Sequence, residues 1–114
     1  MADTFTANPD LDLFVLVGGW AQFGPQAYAQ VTDQVMDQLK SKDLVIVAGD
    51  VLPPQIEALK AGRSHAQIGQ RPFEMGYRAP SVMIEMIEGK AVDDPLFTGL
   101  DECTGENVDS CLAK

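Results

Sequence analysis

Two short runs of the chain are apolar without alternation. Leu13-Phe14-Val15-Leu16-Val17 follows the turn residues Asn8-Pro9-Asp10 and stops at Gly18-Gly19, and Leu44-Val45-Ile46-Val47-Ala48 stops at Gly49-Asp50. A strand-length run of this kind is the pattern of a strand buried on both faces, as in a parallel sheet covered by helices. Between the runs, Ala27, Val31, Val35, Met36 and Leu39 recur at helical spacing with Gln and Asp opposite them. That spacing predicts one amphipathic helix over 25–39, with Pro25 near its first turn. Pro53-Pro54 opens a further helix that Gly62 stops. His65 to Gln70 reads as a third, weaker strand, and Phe73 to Glu88 carries the longest helical pattern, with Gly89 just past it. Pro80 lies inside that pattern, where it removes one backbone hydrogen bond. Pro95 to Leu100 is a candidate exit strand. Strands alternating with helices predict an α/β fold: an open parallel sheet with helices on both faces.

Length narrows the picture to one small domain, spanning 1–114, with 101–114 as a polar tail. A chain of 114 residues holds a core but is too short for two lobes closing on a cleft. No apolar run approaches the roughly 18–20 residues that cross a bilayer. Seventeen acidic against eight basic residues give a formal charge of −9, which repels phosphate backbones and excludes nucleic acid as the expected partner. The first residues, Met1-Ala2-Asp3-Thr4, carry neither a basic stretch nor an apolar core of the signal-peptide type. The two cysteines, Cys103 and Cys111, stand eight positions apart. They either close a short disulfide loop, which implies an oxidising compartment, or remain free thiols. No further soft ligand lies nearby to make a zinc site.

In an open α/β sheet, ligands bind at the carboxyl ends of the strands. Three such ends carry useful groups: Gly18-Gly19-Trp20, Gly49-Asp50 and Gly69-Gln70-Arg71. Asp50 offers two acceptor oxygens to adjacent hydroxyls, Gln70 donates and accepts, and the Trp20 indole suits the apolar face of a pyranose. Each has a plainer reading: Asp50 as a cap or turn residue before Pro53-Pro54, Gln70 and Arg71 as solvated strand-end residues, and Trp20 as a core or interface aromatic.

The order of several segments resembles the C-terminal lobe of the periplasmic solute-binding proteins that feed sugars to ABC transporters, of the type I, ribose-binding-like kind. The resemblance rests on Asn8-Pro9-Asp10-Leu11-Asp12, Val45-Ile46-Val47-Ala48-Gly49-Asp50, Glu57-Ala58-Leu59-Lys60-Ala61-Gly62, Ile68-Gly69-Gln70-Arg71-Pro72 with Gly76, Glu88-Gly89-Lys90 and Thr104-Gly105-Glu106-Asn107-Val108. It implies one truncated lobe of a two-lobed fold, with Asp50 and Gln70 matching the family's sugar contacts. A small sugar is then the ligand, an ABC transporter membrane component the family partner, and the periplasm the location, with no signal peptide in the chain as written. Where many members carry a sugar-binding asparagine, this chain has Gly18-Gly19-Trp20, so the identity of the sugar does not carry across. An exposed sheet edge also invites a homodimer.

Enzymatic readings find little footing. His65 is the single histidine and starts a strand rather than ending one, no Walker or Gly-x-Gly-x-x-Gly spacing follows a strand, and the acidic residues are scattered. The sequence therefore predicts no catalytic residue, no metal and no cofactor. Two alternatives stay open: the effector-binding lobe of a LacI-type transcription regulator, and a self-associating structural fragment without ligand.

Overall fold

The computed structural model describes residues 1–113. Its elements are α1 (Ala2–Ala7), β1 (Leu13–Leu16), a 3-10 turn (Gly19–Gln22), α2 (Pro25–Asp33), α3 (Met36–Ser41), β2 (Val45–Gly49), α4 (Pro53–Lys60), β3 (Ala66–Gly69), α5 (Pro72–Ile87), β4 (Asp101–Thr104) and a 3-10 segment (Val108–Ala113). The four strands form one sheet in the order β1-β2-β3-β4. β1 pairs with β2 in parallel, Leu13 opposite Val45 and Leu16 opposite Ala48, and β2 pairs with β3 in parallel, Gly49 opposite Ile68. The fold is an open α/β sheet with helical crossovers, as the alternating pattern predicts. The chain divides into two compact units, one formed by residues 1–69 with the segment from 102 onward, the other by 70–101.

The first unit holds the core. Phe5, Leu39, Leu44 and Ile46 are buried together, with Phe14, Leu16, Val31 and Val35 packed against them. Phe5 meets Phe14 edge-on, with centroids 5.2 Å apart. A second cluster joins Ile56 and Leu59 of α4 to Cys103 of β4. A disulfide links Cys103 to Cys111, with Cα atoms 5.9 Å apart. Just beyond α4, Arg63 Nη1 donates to the Ala29 carbonyl, Thr32 Oγ1 and Asp33 Oδ1 at 2.7–3.0 Å, which holds the end of α2 against the chain leaving α4.

Three local expectations need correcting. β1 is not buried on both faces: Leu13 and Val15 are 51% and 55% exposed, as is Val17 just beyond it at 89%, while Phe14 and Leu16 join the core. An unbroken apolar run tells how a strand could be covered on two sides, and this edge strand is covered on one. The helix expected over 25–39 is two helices, interrupted at Val35, whose φ of −122° and ψ of 16° leave the helical region. The exit strand is not at Pro95 to Leu100 but at Asp101–Thr104, after a cis Asp94–Pro95 bond and a left-handed Gly99.

The second unit is α5 and the loop that follows it. α5 runs through Pro80 and buries none of its residues. Phe73 and Tyr77 stack with centroids 6.0 Å apart, and Arg78 Nη1 donates to Glu74 Oε1 and to the Phe97 carbonyl. The ends of the unit are tied by two charge-assisted bonds, Arg71 Nε to Asp101 Oδ2 and Arg71 Nη2 to Asp101 Oδ1, both 2.9 Å. This pair holds the Arg71 guanidinium above its ordinary range.

Candidate functional site

The parallel pairing places the carboxyl ends of β1 and β2 side by side. They approach closely because position 49 has no side chain: a methyl group on Gly49 would lie 2.5 Å from the Val17 carbonyl oxygen. Beyond β1 the chain turns at once into the 3-10 turn, and Trp20 sits on it with 74% of its surface exposed. The indole lies over Gly18, where a methyl group would fall 2.5 Å from Trp20 Cζ3 and 2.6 Å from Cη2. Trp20 is thus neither a core aromatic nor a freely swinging one, since its ring rests on backbone that only glycine leaves bare.

Asp50 follows β2 in the left-handed region, at φ 73°, a conformation that Asp tolerates better than most residues. Its amide donates to the Ile68 carbonyl at 2.9 Å, and its Oδ2 accepts from the Gly19 amide at 3.3 Å. Asp50 is not the cap of α4, whose N-cap is Leu52. Its carboxylate instead reaches across to the turn that carries Trp20. The two groups read from the sequence are therefore brought together through one intervening residue, Gly19. Gln70, the first residue after β3, is exposed and belongs to the 70–101 unit.

Beneath Trp20 and Asp50 lies a buried amide cluster that the hydropathy pattern gave no reason to single out. Gln22, Gln55 and Gln67 are each 0–1% exposed. Gln55 Nε2 donates to the Gly49 carbonyl at 2.8 Å and to Gln22 Oε1 at 2.9 Å, with Gln67 Oε1 at 3.2 Å, and Gln55 Oε1 accepts from the Leu52 amide at 3.1 Å. Gln22 Nε2 reaches the Tyr28 hydroxyl, which donates to the Arg63 carbonyl at 2.8 Å. Burial pushes the Tyr28 phenol upward, partly offset by the Gln22 hydrogen bond and the Arg63 charge. Among the described residues no buried side-chain nitrogen or oxygen lacks a partner. A cluster fully satisfied in this way fixes one arrangement, because any other leaves a buried amide unpaired. The one signal in the sequence was Gln55 itself, a polar residue on the apolar side of α4 beside Ile56 and Leu59.

Near the amino ends of β2 and β3 lies a cleft of about 480 Å³ with Lys42, Ser64, His65 and Glu106 in its walls. His65 is occupied structurally: the Ile46 amide donates to Nδ1 at 3.1 Å, so the ring donates from Nε2 to the Leu39 carbonyl, also at 3.1 Å. Both ring nitrogens thus complete backbone hydrogen bonding where β3 has not yet begun. No group of His, Cys, Asp and Glu among the described residues is arranged to hold a metal ion, and none of the described helices is long and apolar enough to cross a membrane.

Comparison with known proteins adds a family to this geometry. A model of the periplasmic binding protein domain matches residues 1–91. GanP, a glucose-galactose binding protein from Geobacillus stearothermophilus, superposes with a TM-score of 0.69 at 25% identity, covering 92% of this chain and 35% of its own. A carbohydrate transporter solute-binding protein from Agrobacterium radiobacter, solved with D-arabinose, gives 0.69 at 24% identity, covering 92% and 34%. An ABC transporter solute-binding protein from Agrobacterium vitis, solved with D-fucose, gives 0.67 at 20% identity, covering 98% and 37%. The chain therefore spans about a third of the length of these neighbours. A search of curated proteins returns no match. The strand-end geometry, the fold and a match over residues 1–91 lead to one statement: the chain belongs to the periplasmic binding protein domain family.

Proposed function

We propose that this chain contributes half of a sugar-binding site for ABC-transporter uptake, with Trp20 and Asp50 as its ligand contacts and no chemical step performed. The observation that carries this reading is an exposed indole on the same turn whose Gly19 amide holds the Asp50 carboxylate, at the carboxyl ends of β1 and β2. Stacking on an aromatic ring and paired acceptance from neighbouring hydroxyls are the two demands a pyranose makes of a protein surface. Family membership and the sugars named with the structural neighbours support the ligand class. The family and the Cys103–Cys111 disulfide support a periplasmic location.

Thermal unfolding with a panel of pentoses, hexoses and sugar alcohols tests the reading. A sugar at about a hundred times its Kd adds roughly 2.7 kcal/mol to the folded state. The shift is expected in the native chain and lost in Asp50→Ala and Trp20→Ala. A folded chain that no millimolar sugar stabilises rejects binding by this chain on its own.

The position of β1 at the edge of the sheet, with Leu13 and Val15 exposed on it, favours a second reading, in which two copies pair through that edge. Sedimentation equilibrium decides it: a dimer that Val15→Lys dissociates supports pairing, and a monomer at all concentrations rejects it.

A further inference from the structure

The Gln55 side chain touches both sides of the bend that holds Asp50. Its Nε2 donates to the carbonyl of Gly49, the residue before Asp50, and its Oε1 accepts from the amide of Leu52, two residues after. One primary amide therefore brackets the left-handed backbone at Asp50 from both ends. Nε2 also donates to Gln22 Oε1 at 2.9 Å, with Gln67 Oε1 farther off at 3.2 Å, and Gln22 closes the 3-10 turn that carries Trp20. Gly19, whose amide donates to the Asp50 carboxylate, lies directly on this amide, since a methyl group there would fall 2.6 Å from Gln55 Nε2.

From this arrangement we infer that Gln55 is a positioning residue: it locks the Trp20 turn and the Asp50 bend into one register, so that neither group moves without the other. The inference rests on the sugar-binding reading for its functional meaning, although the coupling itself exists without ligand. A core residue that only filled space would need none of these bonds. Met in its place keeps the length and apolar stem of Gln while removing both the donors and the acceptor.

The test uses the whole chain, and Trp20 as its single tryptophan. Gln55→Met is expected to retain cooperative unfolding and far-ultraviolet dichroism. Without sugar, it should lower the fluorescence anisotropy of Trp20, raise its quenching by acrylamide at least twofold, and move the backbone amide resonances of Gly19 and Asp50. Gln22→Met, which cuts the arm to the turn together with the bond to Tyr28 and leaves the two bonds at the Asp50 bend in place, should reproduce the Trp20 changes, and the double variant should add little to either. For a sugar that binds the native chain, Gln55→Met should weaken affinity about tenfold or more while the change in Tm follows no such proportion. A folded Gln55→Met or Gln22→Met with Trp20, Gly19 and Asp50 signals unchanged overturns the inference. Should neither variant fold, the native chain decides: slowly exchanging Gln55 side-chain amide protons with nuclear Overhauser contacts to Gly49 and Gln22 uphold the bracket, and rapid exchange without them rejects it. Absence of sugar binding by the native chain counts against the sugar reading alone, because the ligand-free signals still report the coupling.

Discussion

α4 and α5 are written in the same local grammar and have opposite fates. Each has a proline in its first turn. Each ends on a left-handed glycine, Gly62 at φ 68° and Gly89 at φ 74°. The closing hydrogen bonds also match: Gly62 to the Leu59 carbonyl and Arg63 to the Ala58 carbonyl in one, Gly89 to the Met86 carbonyl and Lys90 to the Glu85 carbonyl in the other. This pair of hydrogen bonds is the Schellman closure, in which the amides of a left-handed residue and of the residue after it satisfy two carbonyls of the helix end. Yet the shorter helix buries Gln55, Ile56, Ala58 and Leu59, and the sixteen residues of α5 bury none. Helix boundaries are thus decided by neighbours in sequence, and burial by partners far from the helix.

The sharpest way to break this comparison is truncation on the apolar side of each helix. Leu59→Ala should cost about 2–5 kcal/mol in urea unfolding, whereas Ile87→Ala, at a position 82% exposed, should stay within about 0.5 kcal/mol. A large loss from Ile87→Ala would show that α5 is covered in solution. The disulfide comes next, because Cys103 belongs to the α4 cluster. Reduction that opens the loop of eight-residue separation should lower stability by about 2.5 kcal/mol, read as a drop in the urea midpoint. Gly62→Ala and Gly89→Ala should each cost about 1 kcal/mol, read globally for the first and by amide exchange of the last turn for the second. Equal penalties would confirm that the closures are independent of burial.

The smallest effect belongs to the ion pair at the end of α4, where Lys60 Nζ lies 2.8 Å from Asp109 Oδ1. The hydrogen bond and charge of Lys60 hold the Asp109 carboxyl below its ordinary value of 3.8. A depressed folded value contributes stability above the unfolded value, and that contribution disappears as pH falls through the folded one. Asp109→Asn should therefore differ slightly from the native chain at neutral pH and coincide with it in strong acid. Added salt should erase the difference, since both partners face solvent.

Much of the molecule was legible because short-range rules governed it. The apolar stretch at Val45 to Gly49, the prolines at 53 and 72 and the glycines at 62 and 89 mark β2, α4 and α5 within a residue or two. Long-range facts were not legible in the same way. Nothing local distinguishes Val15, which is open, from Val47, which has β3 beside it. The break at Val35 hides in an apolar spacing that two helices satisfy as well as one. Pro95 to Leu100 has the apolar residues of a strand but no strand pairing, while Asp101–Thr104 is polar in sequence and is drawn into the sheet with Cys103 buried at its centre. Of the candidate site, strand-end logic picks out Asp50 and Trp20 as proposed contacts. Their link through Gly19 and the amides below was not legible, since hydrogen bonds across 31 and 33 positions leave no periodic trace.

Positions 49 and 50 carry a last consequence, for how this surface can vary. At 49 the barrier is steric, since even a methyl group meets the Val17 carbonyl, so every replacement should be depleted in a saturation library. At 50 the barrier is conformational, and a left-handed backbone admits Asn and Gly as well as Asp. Selection for a folded chain would therefore leave a tolerance of one residue beside a tolerance of three. Selection for ligand capture would narrow the second position further and leave the first untouched. If Asp50 holds the sugar as proposed, the boundary between what folding demands and what recognition demands falls across a single peptide bond.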